Sequence, residues 1–237
     1  MWLEFFLCLF LAHLLADFVL QTSSSCRDKS EKHWRSLHQY VHAMIVFALS
    51  WLVSWDLSFW WGALMIGFAH LLIDVWKSYK AEDIKWFLLD QFFHCLVLIA
   101  VAFLWFISHT WEMPSFCSPI LLAVFISILI CWKPANIFIK LTLKHYSVNM
   151  PEEKEGERFN AGALIGNVER WLILVFVYLG RYEALGLLIA AKSIIRFSES
   201  QTNKTEYVLA GTLMSILIAV LCGLFIVNIN QILSFLS

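Results

Sequence analysis

Charge is scarce in this sequence. Asp, Glu, Lys and Arg make up 15% of its 237 residues and nearly cancel, leaving a formal net charge of −1. That balance excludes a nucleic-acid binder steered by a basic surface. There is no CxxC pair either. The six cysteines (Cys8, Cys26, Cys95, Cys117, Cys131 and Cys222) are irregularly spaced. Most sit inside apolar runs, where a thiol behaves as a small hydrophobe, so neither a disulfide framework nor a zinc knuckle is read from them. Few Gly or Pro residues interrupt the apolar runs of the first 108 positions, and no internal repeat stands out. Both absences weigh against an inverted-repeat transporter built on broken helices. The N-terminus lacks the basic region and small-residue cleavage site of a secretory signal: it opens Met1-Trp2-Leu3-Glu4, and its apolar run carries His13 and Asp17. A retained first transmembrane helix is the expectation.

What remains is apolar. Hydrophobic residues make up 60% of the chain and mean hydropathy is +0.73, above the 45–50% apolar content usual for a soluble domain. A spanning helix takes roughly 20 mostly apolar residues. Candidate spans fall at 2–21, 38–56, 59–76, 86–108, 119–132, 161–180, 183–197 and 207–230. The predicted fold is therefore all-α: a polytopic transmembrane helical bundle of about eight spans (7–8). Trp55, Trp60, Trp61, Trp86, Trp105 and Trp111 lie near span ends, as an aromatic belt places them.

Basic residues set the expected orientation. Arg27, Lys29, Lys32, Arg35, Lys77, Lys80, Lys85, Lys133, Lys140, Lys144, Lys154, Arg158 and Lys204 fall on connections of one side, thirteen of the 17 Lys and Arg, against Arg181 alone on the other. The positive-inside rule puts that side in the cytoplasm and both termini outside it. Residues 1–132 form an N-terminal helical half, 133–160 a cytoplasmic connection and 161–237 a C-terminal three-helix half. Within the connection, 134–147 is expected as a short interfacial amphipathic helix, apolar at Ile137, Phe138 and Leu141, and 152–157 as a solvated acidic loop.

Each of the first four spans carries a polar pair four residues apart: His13 and Asp17, His38 and His42, His70 and Asp74, Asp90 and His94. Residues at i and i+4 share a helix face, so each pair can aim two ligands at one centre. Spans one and three run toward the cytoplasm with their pairs near their ends, and spans two and four run away with theirs near their beginnings. All eight side chains are thus expected at one depth, close to the cytoplasmic surface. A lone histidine in a helix is ordinarily a packing residue, and ion pairing is the alternative. Ionisable groups within spans, however, mark functional sites by default. Five imidazoles with three carboxylates suit Zn, Fe or Mn over a purely oxygen-liking ion, one or two ions in number. His33, His109 and His145 fall outside the pattern. Gln21, Lys77 and Gln91 adjoin it and are candidate substrate-binding residues. In the C-terminal half Arg170, Lys192 and Arg196 are candidates to receive an anionic group, with an interhelical salt-bridge network through Glu169 or Glu206 as the alternative.

These strings, His13-Leu-Leu-Ala-Asp17, His38-Gln-Tyr-Val-His42, Gly67-Phe-Ala-His70-Leu-Leu-Ile-Asp74 and Asp90-Gln91-Phe-Phe-His94, resemble an uncharacterised family of bacterial polytopic membrane proteins, a domain of unknown function. Asn160 to Arg170, Ala191 to Phe197 and Glu206 to Thr212 extend the likeness. Ala69-His70-Leu-Leu-Ile-Asp74 is also loosely similar to inner-membrane proteins classed as metal-dependent hydrolases, whose other histidine signatures are missing here. The expected function is a membrane-embedded metal-dependent hydrolase acting at the cytoplasmic interface on a lipid-linked or amphipathic phosphate or ester, with Asp17, Asp74 or Asp90 as general base. A divalent-metal or proton-coupled transporter and a di-iron membrane oxygenase are the rivals. The oxygenase's usual HxxHH boxes are absent. The expected partner is a membrane lipid or lipid-linked anion, with no nucleic acid.

Overall fold

The computed structural model describes residues 2–146, 161–197 and 202–236, and among these the side chains of all but 161, 195–197, 202–208 and 236. The described residues are helical, without strands, in agreement with the predicted class. In chain order the helices are α1 (Trp2–Leu14), α2 (Ser23–Lys32), α3 (Leu37–Val53), α4 (Trp60–Ser78), α5 (Ile84–Ser108), α6 (Pro119–Ile130), α7 (Lys133–His145), α8 (Ala161–Tyr178), α9 (Tyr182–Phe197) and α10 (Thr202–Leu236). The chain divides into two compact units, 1–126 with 229–237, and 127–228.

Among the described residues four stretches are long and apolar enough to cross a membrane: Trp2–Leu20, Leu57–Ser78, Ile84–Ser108 and Leu209–Phe235. Two bent pairs, Ser23–Arg35 with Leu37–Val53 and Pro119–Ile130 with Lys133–His145, raise the number to six if each is one span. The expected eight exceeds this because several predicted spans are short: α3 has 17 residues and α9 has 16, below the roughly 20 that a hydrocarbon core requires. The stretch expected as an interfacial helix is helical, as α7, while the acidic loop at 152–157, Asn160 and Glu199 lie outside the described residues.

In the first unit α1 is the central element, packed against α3 and α5, while α4 packs against the same two helices. The exposed side chains of α4 and α5 include Phe68, Leu72, Phe92, Leu96 and Phe103, while His70, Asp90 and His94 are buried. Apolar outside and polar inside is the arrangement expected of helices solvated by lipid. At the end away from the polar residues, Phe5 sits edge-on to Phe59 (4.9 Å) and against Trp111 (5.0 Å), and the Trp111 indole donates to the Ser54 carbonyl at 2.7 Å.

Close approach of α3 and α4 depends on Gly67. A Cβ there would stand 3.0 Å from Phe47 Cβ and 3.2 Å from the Ala43 carbonyl. Ala43 follows His42 and Gly67 lies one turn before His70, so this contact sets the spacing of the two imidazoles. Gly67→Val is therefore expected to lower stability by about 1–3 kcal/mol through overpacking. Gly186→Ala, with nothing within 4 Å, should stay within about 0.5 kcal/mol of the parent. Thermal unfolding in detergent compares the two.

Candidate metal centre

The first span does not remain α-helical to its end. Leu15–Leu20 is a π-helical stretch carrying Asp17, and Gln21 closes it by donating its N–H to the Ala16 carbonyl at 3.1 Å. Such wide turns are frequent at functional sites, where the extra residue re-aims side chains relative to the rest of the helix. His13, one turn earlier, keeps its Nδ1 3.8 Å from Asp17 Oδ1. The chain then extends through Gln21, and Thr22 caps α2 by accepting from the Ser25 N–H at 3.3 Å.

Three donor atoms converge most tightly. His42 Nε2 and His70 Nε2 are 3.0 Å apart, and Asp17 Oδ1 is 3.2 Å from the first and 3.4 Å from the second. The point equidistant from the corners of that triangle lies about 1.9 Å from each in their plane, so an ion at the usual 2.0–2.2 Å from nitrogen and oxygen ligands sits just off it. Beside it, His94 Nε2 is 3.6 Å from Asp74 Oδ1 and 3.7 Å from Asp90 Oδ1, while His70 Nε2 is 3.7 Å from Asp74 Oδ1. The His70 and His94 rings stack at 4.0 Å. Three overlapping sets (His13 with His70 and His94, Asp17 with His42 and His70, Asp74 with Asp90 and His94) each bring one ligand atom per residue within 4.8 Å of the others.

The donors are hidden from solvent. His13, His42, His70 and His94 are each at most 3% exposed. Neither ring nitrogen of His94 finds a hydrogen-bond partner among the described residues, nor does Asp90 Oδ1. An unpaired buried polar atom costs free energy of order 1–3 kcal/mol, so three at one place call for a ligand. A cavity of about 10 Å³ against His13, His70 and His94 is close to the space of one water or ion. The residues present fit a divalent transition metal: nitrogen and carboxylate donors, short mutual distances, and, at His94 and Asp90, atoms without a hydrogen bond among the described residues.

Seven of the eight predicted ligands are brought together; His38 is not. The buried face of α3 runs Gln39, His42, Ala43, Val46, Ser50, so the residue one turn before His42 on that face is Gln39, three residues earlier. His38, four residues earlier, turns out to solvent and is exposed. Among the neighbours, Gln91 links two members, its Oε1 3.3 Å from His13 Nε2 and its Nε2 donating to Asp90 Oδ2 at 3.1 Å. Lys77 Nζ stands 3.8 Å from Asp90 Oδ2. Gln21 is half-buried beyond the π-helical stretch.

Sequence reasoning missed Lys29. It is 6% exposed and donates to Asp74 Oδ2 at 2.6 Å. Its segment, Ser23–Lys32, carries no apolar periodicity and was expected as a solvated connection. The only local signal is the capping Thr22. The segment containing α2 runs to Arg35 and makes an angle of 106° with α3. It is fastened at the end of α4 by His33, which stacks on Tyr79 at 4.0 Å and lies 3.2 Å from Ser78 Oγ. His33 thus fixes the capping segment. Ser36, fully buried, donates to Asp28 Oδ2 at 2.5 Å, and Lys32 pairs with the same carboxylate.

The C-terminal candidates lie in the second unit. Arg170 is 1% exposed and donates to the Cys131 carbonyl (2.6 Å), Ser215 Oγ (2.9 Å), Asn136 Oδ1 (2.6 Å) and Asn167 Oδ1 (2.6 Å). Gly166, one turn earlier, leaves room for it, since a Cβ there would come 3.3 Å from Nη1. Lys192 pairs with Glu169. The side chains of Arg196, Glu206 and Tyr207 lie outside the described residues. Arg170→Met leaves several buried acceptors unpaired and should lower stability by roughly 3 kcal/mol. Arg170→Lys should rescue little, because one ammonium cannot span four acceptors. Unfolding of both variants in detergent tests this.

No curated protein and no solved structure matches the chain. Residues 5–123, half of the chain and the stretch that holds the whole metal-competent cluster, match the family described as "Protein of unknown function (DUF3307)". The match ends before the C-terminal strings that extended the resemblance. The chain belongs to this family, DUF3307.

Proposed function

We propose that this is an integral protein of the bacterial inner membrane and a metal-dependent hydrolase, acting at the cytoplasmic interface on a lipid-linked or amphipathic phosphate or ester. The observation that carries the reading is the convergence of His42 Nε2, His70 Nε2 and Asp17 Oδ1 within 3.0–3.4 Å of one another, beside a His94 whose ring nitrogens are unpartnered. The orientation rests on the basic residues of the connections, which put both termini outside the cytoplasm. It places the cluster at the cytoplasmic rim, where an amphipathic substrate could present its headgroup.

Asp17, His42 and His70 hold one ion, Zn, Fe or Mn. Asp74, Asp90 and His94 form the place for a second, and Asp74 Oδ1 lies between His70 and His94. A bound divalent ion supplies Lewis acidity and lowers the pKa of a water. The chain's own residues do the rest. With one ion at the tighter triangle, Asp90 Oδ1, buried and without a hydrogen bond, is free to accept a proton. Asp17 is held between two imidazoles and Asp74 by Lys29, so Asp90 is the better general base. Gln91 fixes its other oxygen.

Three carboxylates with four histidines also suit a di-iron centre, and this donor ratio keeps the oxygenase as the second reading. Mass spectrometry of detergent-purified protein should find one or two equivalents of Zn, Fe or Mn. His42→Ala and His70→Ala should lose them and His38→Ala should keep them. Zinc or manganese with hydrolysis of phosphate or ester substrates supports the hydrolase; iron with dioxygen consumption replaces it. Purified protein that holds no metal and takes up none from a supplied panel sinks both.

A further inference from the structure

The carboxylates Asp74 and Asp90 are used on both sides. The Oδ1 of each faces His94 Nε2, at 3.6 and 3.7 Å. The Oδ2 of each faces a lysine, Lys29 at 2.6 Å and Lys77 at 3.8 Å. Two ammonium groups from different helices, α2 and α4, therefore border the metal-competent donors. One of them is buried, and it comes from a polar helix that contributes little else to the core.

Charge decides what such a site wants. Asp17, Asp74 and Asp90 against Lys29 and Lys77 leave one negative charge. One divalent ion turns this into a single positive charge, and two ions leave three. Uncompensated charge is strongly disfavoured among buried groups, where screening by water is lost. A loaded cluster thus calls for an anion, and with two ions bound a doubly charged one matches it better than a carboxylate. A phosphoryl group also has oxygens enough to meet metal ions and lysines together, and lysine serves phosphate as a point charge.

Resting on the metal reading above, we propose that the loaded cluster binds a phosphoryl group, a phosphate or phosphate monoester, with Lys29 and Lys77 as its ammonium ligands. Lys29 then has two partners in turn: Asp74 Oδ2 when the anion is absent, and a phosphoryl oxygen when it is present. This narrows the substrate class from esters in general to phosphorylated ones. It also gives α2 a purpose as the element that carries a cation over the site.

The test uses full-length protein in detergent, loaded with Zn²⁺ or Mn²⁺, with retained ions counted by mass spectrometry and inorganic phosphate binding measured by titration calorimetry. Wild type should bind phosphate. Lys29→Met and Lys77→Met should keep their ions and bind phosphate roughly tenfold more weakly or worse, as loss of a charge-assisted contact implies. Lys29→Arg should recover most of the affinity. Nanodiscs of phosphatidylcholine with and without phosphatidic acid separate the two sources of the group. Displacement of phosphate by phosphatidic acid identifies a lipid headgroup, and no displacement identifies a free phosphate. A fully loaded protein that binds no phosphate, or loaded Lys29→Met and Lys77→Met variants with wild-type affinity, overturns the phosphoryl assignment and leaves the metal centre standing. A wild type that retains no ions overturns both.

Discussion

Three carboxylates gathered among apolar helices repel one another, and cations or strong hydrogen-bond donors must hold them there. This constraint governs the first unit. Asp17, Asp74 and Asp90 come from three different helical segments, and each is met from more than one direction: Asp17 by His13, His42 and His70, Asp74 by Lys29, His70 and His94, Asp90 by Lys77, Gln91 and His94. Removing water strengthens both the repulsion and the attraction, so the arrangement is stable only when the partners are in place. The atoms of His94 and Asp90 that lack a hydrogen bond among the described residues lie within the groups of donors that could hold a metal ion.

Backbone features serve that convergence. The π-helical turn re-aims Asp17 without displacing His13. Gly67 lets α4 approach α3 closely enough for His42 and His70 to face each other at 3.0 Å. The segment with α2, at 106° to α3 and pinned by the His33–Tyr79 stack, brings Lys29 down onto Asp74. Packing and polar chemistry are therefore the same problem here: the helix faces that seal the unit also set the donor distances.

The second unit solves the opposite problem. Among the described residues a buried guanidinium is met by a main-chain carbonyl, a hydroxyl and two side-chain amides, with no carboxylate in that set. Dipoles arranged around a cation offset its desolvation without bringing in a second charge. Arg170 thereby joins α7, α8 and α10 through Asn136, Asn167 and Ser215. The Lys192–Glu169 pair is a salt bridge of the kind the alternative for these residues describes.

The sequence by itself determined the helical class, the apolar character and the four helical pairs at i, i+4, because these are local properties: composition, hydropathy and the 3.6-residue period act within one segment. Seven of the eight proposed ligands lie together in the first unit. Tertiary structure alone decided that His38 turns outward and Gln39 inward, since the rotational phase of α3 is fixed by what packs against Ala43 and Val46 and not by spacing from His42. It alone decided that Lys29 is part of the site, because a polar segment without apolar periodicity carries no signal of where it docks. Which helices cross a membrane whole and which are broken likewise depends on bends between segments, and the lengths of apolar runs do not contain that information.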